Sequence, residues 1–261
     1  MDLAEFFSFL SRHLDFRFDV IWDYRYMFLK GVGFTLGLTA VSIFFGCILG
    51  LMGSLMRLAR SEKGGFFTRF FLACCRGVSL AYVTFFRGTP LFVQIFIWYF
   101  VWFAAMVNKD HGWLIAGASA ETLRTHYGAL IAGCLALSFN TGAYLTEIFR
   151  AGIQSIDKGQ VEAAKSLGLT YAQTMRHVIL PQAIRRMLPP FANEFITLLK
   201  DSSLLSAIAV AELAYVARSI AGRFYIYKEP YYTIAVIYLI MTVGLTWLFS
   251  LWERKLNKSA R

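Results

Sequence analysis

Asn193, Glu194, Thr197, Lys200 and Asp201 recur three or four residues apart, with Leu204 next, so on a helix they share one stripe. Phe195, Ile196, Leu198, Leu199 and Leu205 fill most of the remaining circumference. Carboxylates, an ammonium, an amide and a hydroxyl on one stripe suit binding or passing a charged or zwitterionic solute. Lys200 and Asp201 are adjacent and cannot face each other on a regular helix. Each therefore needs a partner elsewhere, or the helix breaks there. Two roles fit: a structural ion pair between helices, and contact with a solute. Asn140, Tyr144 and Glu147 form a smaller stripe, and Arg150 stands three residues beyond Glu147, within reach of a local ion pair. Gln94 is a lone amide in an apolar run, which one hydrogen bond between helices would satisfy. Arg87 reads as an interface anchor.

The arrangements that carry out catalysis are missing, so no catalytic residue is expected. Cys47, Cys74, Cys75 and Cys134 lack CxxC or CxxxC spacing and lie mostly in apolar runs, where cysteine packs as a small hydrophobe. His13, His111, His126 and His177 are scattered, and HExxH does not occur. No metal site is expected. GxxxxGK[ST] is also absent, so this chain does not cradle nucleotide phosphates as a P-loop does.

The elements that carry the stripes are membrane spans. Apolar residues make up 57% and aromatics 17% of the chain, well above soluble averages. Mean hydropathy is +0.54. Apolar runs of roughly 20 residues argue for transmembrane helices. Five are expected: about 28–56, 85–107, 127–149, an irregular 187–210, and 231–252 with aromatics at both ends. The stretch 66–86 carries Arg69 and Arg76 and reads as an interfacial helix or a cytosolic extension of the second span. Gly33xxxGly37 and Gly46xxxGly50 would let a neighbouring helix approach the first span.

Lys and Arg orient the chain. Five spans place 57–87 (Arg57, Arg60, Lys63, Arg69, Arg76, Arg87), 150–186 and the tail (Arg254, Lys255, Lys258, Arg261) on one side. Their basic residues outnumber those on the other, so the N-terminus is expected outside and the C-terminus in the cytoplasm. The net charge of +10 then reads as membrane anchoring, and nucleic-acid binding is excluded. Asp2 and Glu5 occupy the region where a secretory signal would be positive. Leu3, Phe6, Phe7, Leu10 and Leu14 instead suit an external amphipathic helix, with a loosely ordered tail as the alternative.

Between the third and fourth spans lies the polar segment 160–181. Asp157 with Gln160, and Thr170 with Gln173, have N-cap and N3 spacing, and Gly168 stands where a first helix should stop. Two short helices with a glycine turn follow. Val161, Ala164 and Leu167 are expected on one side of the first, and Met175, Val178 and Ile179 on one side of the second. Pro181 should end or kink the second. Their apolar side needs a cover: lipid, the chain's own bundle, or a soluble partner.

Glu162-Ala163-Ala164, Gly168 and Val178-Ile179-Leu180-Pro181 resemble the EAA loop of ABC-importer permeases, with valine where isoleucine is usual. Phe85-Phe86-Arg87-Gly88-Thr89-Pro90, Ala143-Tyr144 with Glu147, Arg150 and Gly152, and Leu199-Lys200-Asp201-Ser202-Ser203-Leu204 look like the branch serving histidine, glutamine, arginine, glutamate or opines. The resemblance implies an all-α integral membrane protein with the five-helix type I importer permease fold, in the bacterial inner membrane. It divides the chain into an external segment 1–25, a permease domain 26–252 holding the EAA loop at about 153–181, and a basic tail 253–261. It further implies a second permease subunit, identical or homologous, a dimer of cytosolic ATP-binding subunits that use ATP and Mg, and an external solute-binding protein. This chain itself would bind no cofactor. Glu162, Ala163, Ala164, Gly168, Leu180 and Pro181 would couple to the ATPase. Asn193, Glu194, Thr197, Lys200, Asp201, Tyr144 and Glu147 are the substrate-path candidates. The alternative is a secondary transporter or channel subunit whose charged stripe binds a coupling ion. A membrane anchor or sensor without transport is a third.

Overall fold

A computed structural model describes residues 16–59 and 65–258. The expected N-terminal amphipathic residues Leu3 to Leu14, together with Arg60, Lys63 and Arg261, lie outside them. The described chain is helical, apart from loops and a single bridge between Val107 and Ile115. Its helices are α1 (Phe18–Asp23), α2 (Arg25–Leu58), α3 (Phe66–Gly88), α4 (Leu91–Met106), α5 (Ala118–Gln154), α6 (Lys158–Ser166), α7 (Tyr171–Ile208), α8 (Leu213–Phe224) and α9 (Lys228–Lys258). Helices α2, α3, α5 and α9 are long and apolar enough to cross a membrane, and α7 with α8, bent by 43°, makes a fifth candidate. Arg254, Lys255 and Lys258 lie within α9.

Two expectations about breaks need correction. No continuous helix covers 85–107. The chain leaves the helix at Thr89, whose backbone is extended (φ −118°, ψ 148°), before Pro90. A residue preceding proline is pushed out of the α region, and proline brings no N–H to the ladder. The stretch 66–86 is therefore part of a full-length helix in its own right. At Pro181 the helix does not end: α7 continues through it. Met175–Ile179 form a π-helical turn just ahead, and this wider turn re-spaces the ladder where proline supplies no donor.

The chain forms two compact units. The first comprises 1–40, 95–134 and 199–244, and Val20 and Phe28 pack there with Leu213, Val216, Ile220 and Ile234. The second comprises 41–94, 135–198 and 245–261. In it α2 and α5 touch through small residues. A Cβ on Gly50 would lie 2.6 Å from Leu145 Cβ, and one on Gly53 would lie 2.4 Å from Thr146 Oγ1. Gly46 is also close, its Cβ position 3.1 Å from Thr141 Cγ2. Gly33 and Gly37 have nothing within 4 Å, so among the described residues it is the second GxxxG pair that admits a neighbour. Gly50→Ala should therefore cost about 1–3 kcal/mol by overpacking, seen as a lower Tm, whereas Gly33→Ala should leave Tm unchanged. Equal Tm values for the two variants would refute the contact.

Candidate functional site

The polar segment folds into a capped helical hairpin. Asp157 Oδ1 accepts from Gly159 N at 2.6 Å and starts α6. The helix stops in a Schellman arrangement: Leu169 N donates to Ala164 O (3.1 Å) and Gly168 N to Lys165 O (2.9 Å). Gly168 takes φ +77°, the left-handed conformation such a stop requires. Thr170 and Gln173 form a full capping box for the next helix: Gln173 N donates to Thr170 Oγ1 and Thr170 N to Gln173 Oε1. Val161, Met175 and Ile179 pack on Ile153, Ile156, Ala183 and Met187, so the chain's own bundle covers one apolar side. Arg186 donates to the Ser155 carbonyl and ties α7 to the end of α5.

Leu167 departs from its expected place on that covered side and is 81% exposed; Tyr171 beside it is 75% exposed. Glu162, Ala163, Gly168 and Pro181 are exposed as well, while Ala164 is buried and Leu180 half-buried. The hairpin thus presents an outer face that mixes charge with large apolar side chains.

The break at Pro90 is mended by side chains. In an unbroken helix the Phe86 carbonyl would accept from residue 90, and proline leaves it without that donor. Gln94 Nε2 donates to Phe86 O at 2.8 Å, and Asn140 Nδ2 to the same oxygen at 3.1 Å and to Gln94 Oε1 at 3.0 Å. Gln94 also reaches Thr89 Oγ1 at 2.8 Å. It is not a lone amide with one partner; it anchors the break between α3 and α4 to α5.

One turn and two turns beyond Asn140 stand Tyr144 and Glu147. Glu147 Oε2 accepts from Arg150 Nη2 (2.6 Å) and Nε (3.0 Å), and its Oε1 lies 3.3 Å from Arg57 Nη1. Arg87 sits 5.0 Å over the Tyr144 ring, so it is more than an interface anchor. The ends of α2 and α3 thereby place cations around one carboxylate of α5. Glu147 is committed to arginines, which is the structural alternative of the sequence reading.

Asn193, Glu194, Thr197, Lys200 and Asp201 follow one another along α7 as expected. Asn193 and Lys200 are exposed, and the others half-buried. Lys200 and Asp201 make no ion pair among the described residues. The other expected outcome occurs instead: directly after Asp201 the helix tightens into a 3-10 segment, Ser202–Ile208, which ends at Ala209 with φ +62°.

A fully buried carboxylate escaped sequence reasoning. Glu212 caps α8, accepting from Ala214 N and Tyr215 N at 2.7 Å each, and from the Tyr238 hydroxyl at 3.0 Å. Thr35 Oγ1 accepts from Leu213 N at 3.2 Å. The only local signal is an acid ahead of good helix formers, and glutamate is not among the favoured N-cap residues.

The inner membrane component family of binding-protein-dependent transport systems matches residues 64–258. This chain belongs to that family. It is similar to the probable amino-acid ABC transporter permease protein YckA of Bacillus subtilis (strain 168), 40% identical over 80% of each chain. The arginine transport system permease protein ArtQ of the same organism is 33% identical, over 88% of this chain and 93% of that one. The crystal structure of an amino acid ABC transporter with histidines superposes with TM-score 0.73 at 37% identity, covering 90% of this chain and 96% of that one. An inward-facing structure of the MetNI methionine ABC transporter, at 22% identity and TM-score 0.64, shares the fold. The chain is thus a multi-pass permease component of the bacterial inner membrane and not an enzyme. Dependence on a binding protein implies that protein and an ATPase as its partners.

Proposed function

We propose that this permease is the five-span subunit of an ATP-driven importer for a polar or charged amino acid. It receives the solute from an external binding protein and passes it to the cytoplasm. The names of its relatives support amino-acid transport. The outer face of the α6–α7 hairpin carries the rest of the reading. A capped, rigid turn exposing Glu162, Ala163, Leu167, Gly168 and Tyr171 suits docking into a groove of a cytosolic ATP-binding subunit. ATP and Mg belong to that subunit, present as a dimer beneath two permeases, identical or homologous.

The N-terminus lies outside and the C-terminus in the cytoplasm, with α3 and α4 together counting as one crossing. Residues 1–25 form an external segment and 26–252 the permease domain, with the coupling loop at about 153–181. The polar edge of α7, Asn193, Glu194, Thr197, Lys200 and Asp201, borders the substrate path. Its opposite charges match a zwitterion, and Tyr144 and Glu147 stand near its cytoplasmic end. A charge inside a membrane costs at least about 2.5–3.5 kcal/mol on insertion scales, so Lys200 and Asp201, in no ion pair among the described residues, are best accommodated beside water.

Sidedness is the testable part of this arrangement. Single cysteines at Ala118 and Lys228, in a background lacking the four native ones, should react with an impermeant thiol reagent applied outside. Lys165→Cys should react only after the membrane is opened. Labelling of Lys165→Cys from outside would place the hairpin on the wrong side for an ATPase and end the proposal.

A further inference from the structure

In the first unit, a cavity of about 340 Å³ lies against the start of α2 and the start of α9. Phe18, Trp22, Phe28, Val32 and Ile237 contribute to its apolar wall, and Arg25 is the charged residue of the lining. The volume lies in the lower part of the ~300–1,000 Å³ range of sites that hold small ligands. An apolar wall with one cation at its edge does not suit a polar amino acid. It suits an amphiphile with an anionic head.

Arg25 is held for that role. Its Nη1 donates to Trp22 O at 2.7 Å, and its guanidinium sits 4.7 Å over the Trp22 ring and 4.6 Å over Tyr26. It makes no ion pair among the described residues, and the nearby Asp19 carboxylate is taken by Arg17 at 3.1 Å. The Nε and Nη2 donors remain, and a guanidinium fork matches phosphate. The level in the membrane agrees. Trp22 on α1, Tyr26 at the start of α2, and Tyr227, Tyr231 and Tyr232 around the start of α9 are exposed aromatics of the kind that mark the headgroup region. Below them Val236, Leu239, Ile240 and Val243 expose an apolar face of α9, so a chain lying along that face runs on from the cavity.

We infer that this cavity is a phospholipid site that takes a segment of acyl chain and holds an anionic headgroup on Arg25. It requires only that α2 and α9 span the membrane, and holds for either leaflet. The test uses the intact transporter in phosphatidylcholine vesicles with phosphatidylglycerol bearing a photoreactive acyl chain. Cross-links should fall within 18–32 and 233–237. Unlabelled phosphatidylglycerol should compete at a roughly fivefold lower mole fraction than phosphatidylcholine, the factor one basic residue contributes toward anionic lipid. Arg25→Ala should abolish that preference and Arg25→Lys retain part of it. Ile237→Trp, which fills the cavity and leaves the charge, should remove the cross-links. Equal competition by the two lipids, or a preference unchanged in Arg25→Ala, overturns the site. So does an absence of cross-links that appear only once residues 1–15 are deleted, which would assign the cavity to the chain's own N-terminal segment.

Discussion

Glu212→Ala should destabilise the purified transporter by about 3 kcal/mol or more. Three donors lose their acceptor together: Ala214 N, Tyr215 N and the Tyr238 hydroxyl. A donor left unpaired away from water costs roughly 1–3 kcal/mol, and a membrane-embedded helix end has little water to turn to. The carboxylate also faces the positive end of the α8 dipole, a favourable placement that alanine forfeits. Tyr238→Phe is the matched control. It removes one donor and leaves both backbone bonds to Glu212, so about 1 kcal/mol should be lost. Glu212→Gln keeps one carbonyl acceptor and should fall between them. Thermal unfolding of the purified complex orders the three. A drop for Glu212→Ala no greater than that for Tyr238→Phe would show that the cap does not hold the start of α8.

The difference between Glu212 and Gly168 shows what a sequence makes legible in this fold. The stop at Gly168 is local: cap, glycine and capping box all lie within a few residues of one another, and all three form as their spacing indicates. The long apolar helices α2, α5 and α9 were legible for a similar reason, since an apolar run must be helical to satisfy its backbone in lipid. Glu212 depends on Tyr238, far along the chain, and on a helix start that glutamate does not advertise. The break at Thr89–Pro90 lay in plain view as a residue before proline, but a continuous apolar run across it outweighed that restraint. The Gln94–Asn140 bridge that mends the break joins residues 46 apart, beyond the reach of periodicity. At the stripe, spacing along α7 was readable, whereas the pairing of Lys200 and Asp201 was a tertiary matter. A 3-10 segment follows directly after Asp201, and neither charge has an ion-pair partner among the described residues.

Glu162→Lys should lower ATP-driven uptake by about tenfold while leaving Tm unchanged. The side chain is exposed and lies outside the bundle contacts of Val161, Met175 and Ile179, so reversing its charge disturbs no packing in the permease. A docked ATPase would meet that charge directly, and a tenfold loss corresponds to about 1.4 kcal/mol of interface energy. Gly168→Leu approaches the same surface differently. A Cβ there meets nothing within 4 Å, so a side chain starts out into open space. The φ of +77° strains any L side chain by roughly 1–2 kcal/mol, however, and part of the effect would come from the turn. Gly168→Asn separates the two causes, because asparagine tolerates the left-handed conformation yet still places a side chain on the docking face. If docking is the function, Gly168→Asn should retain the Tm of the permease and lose uptake with Gly168→Leu. If the hairpin is only a structural cover, Gly168→Asn and Glu162→Lys should both transport normally. Uptake into proteoliposomes at saturating binding protein, beside ATP hydrolysis by the same preparations, distinguishes these outcomes. Hydrolysis that persists while uptake fails would mean the subunits still meet at this face but no longer transmit the stroke.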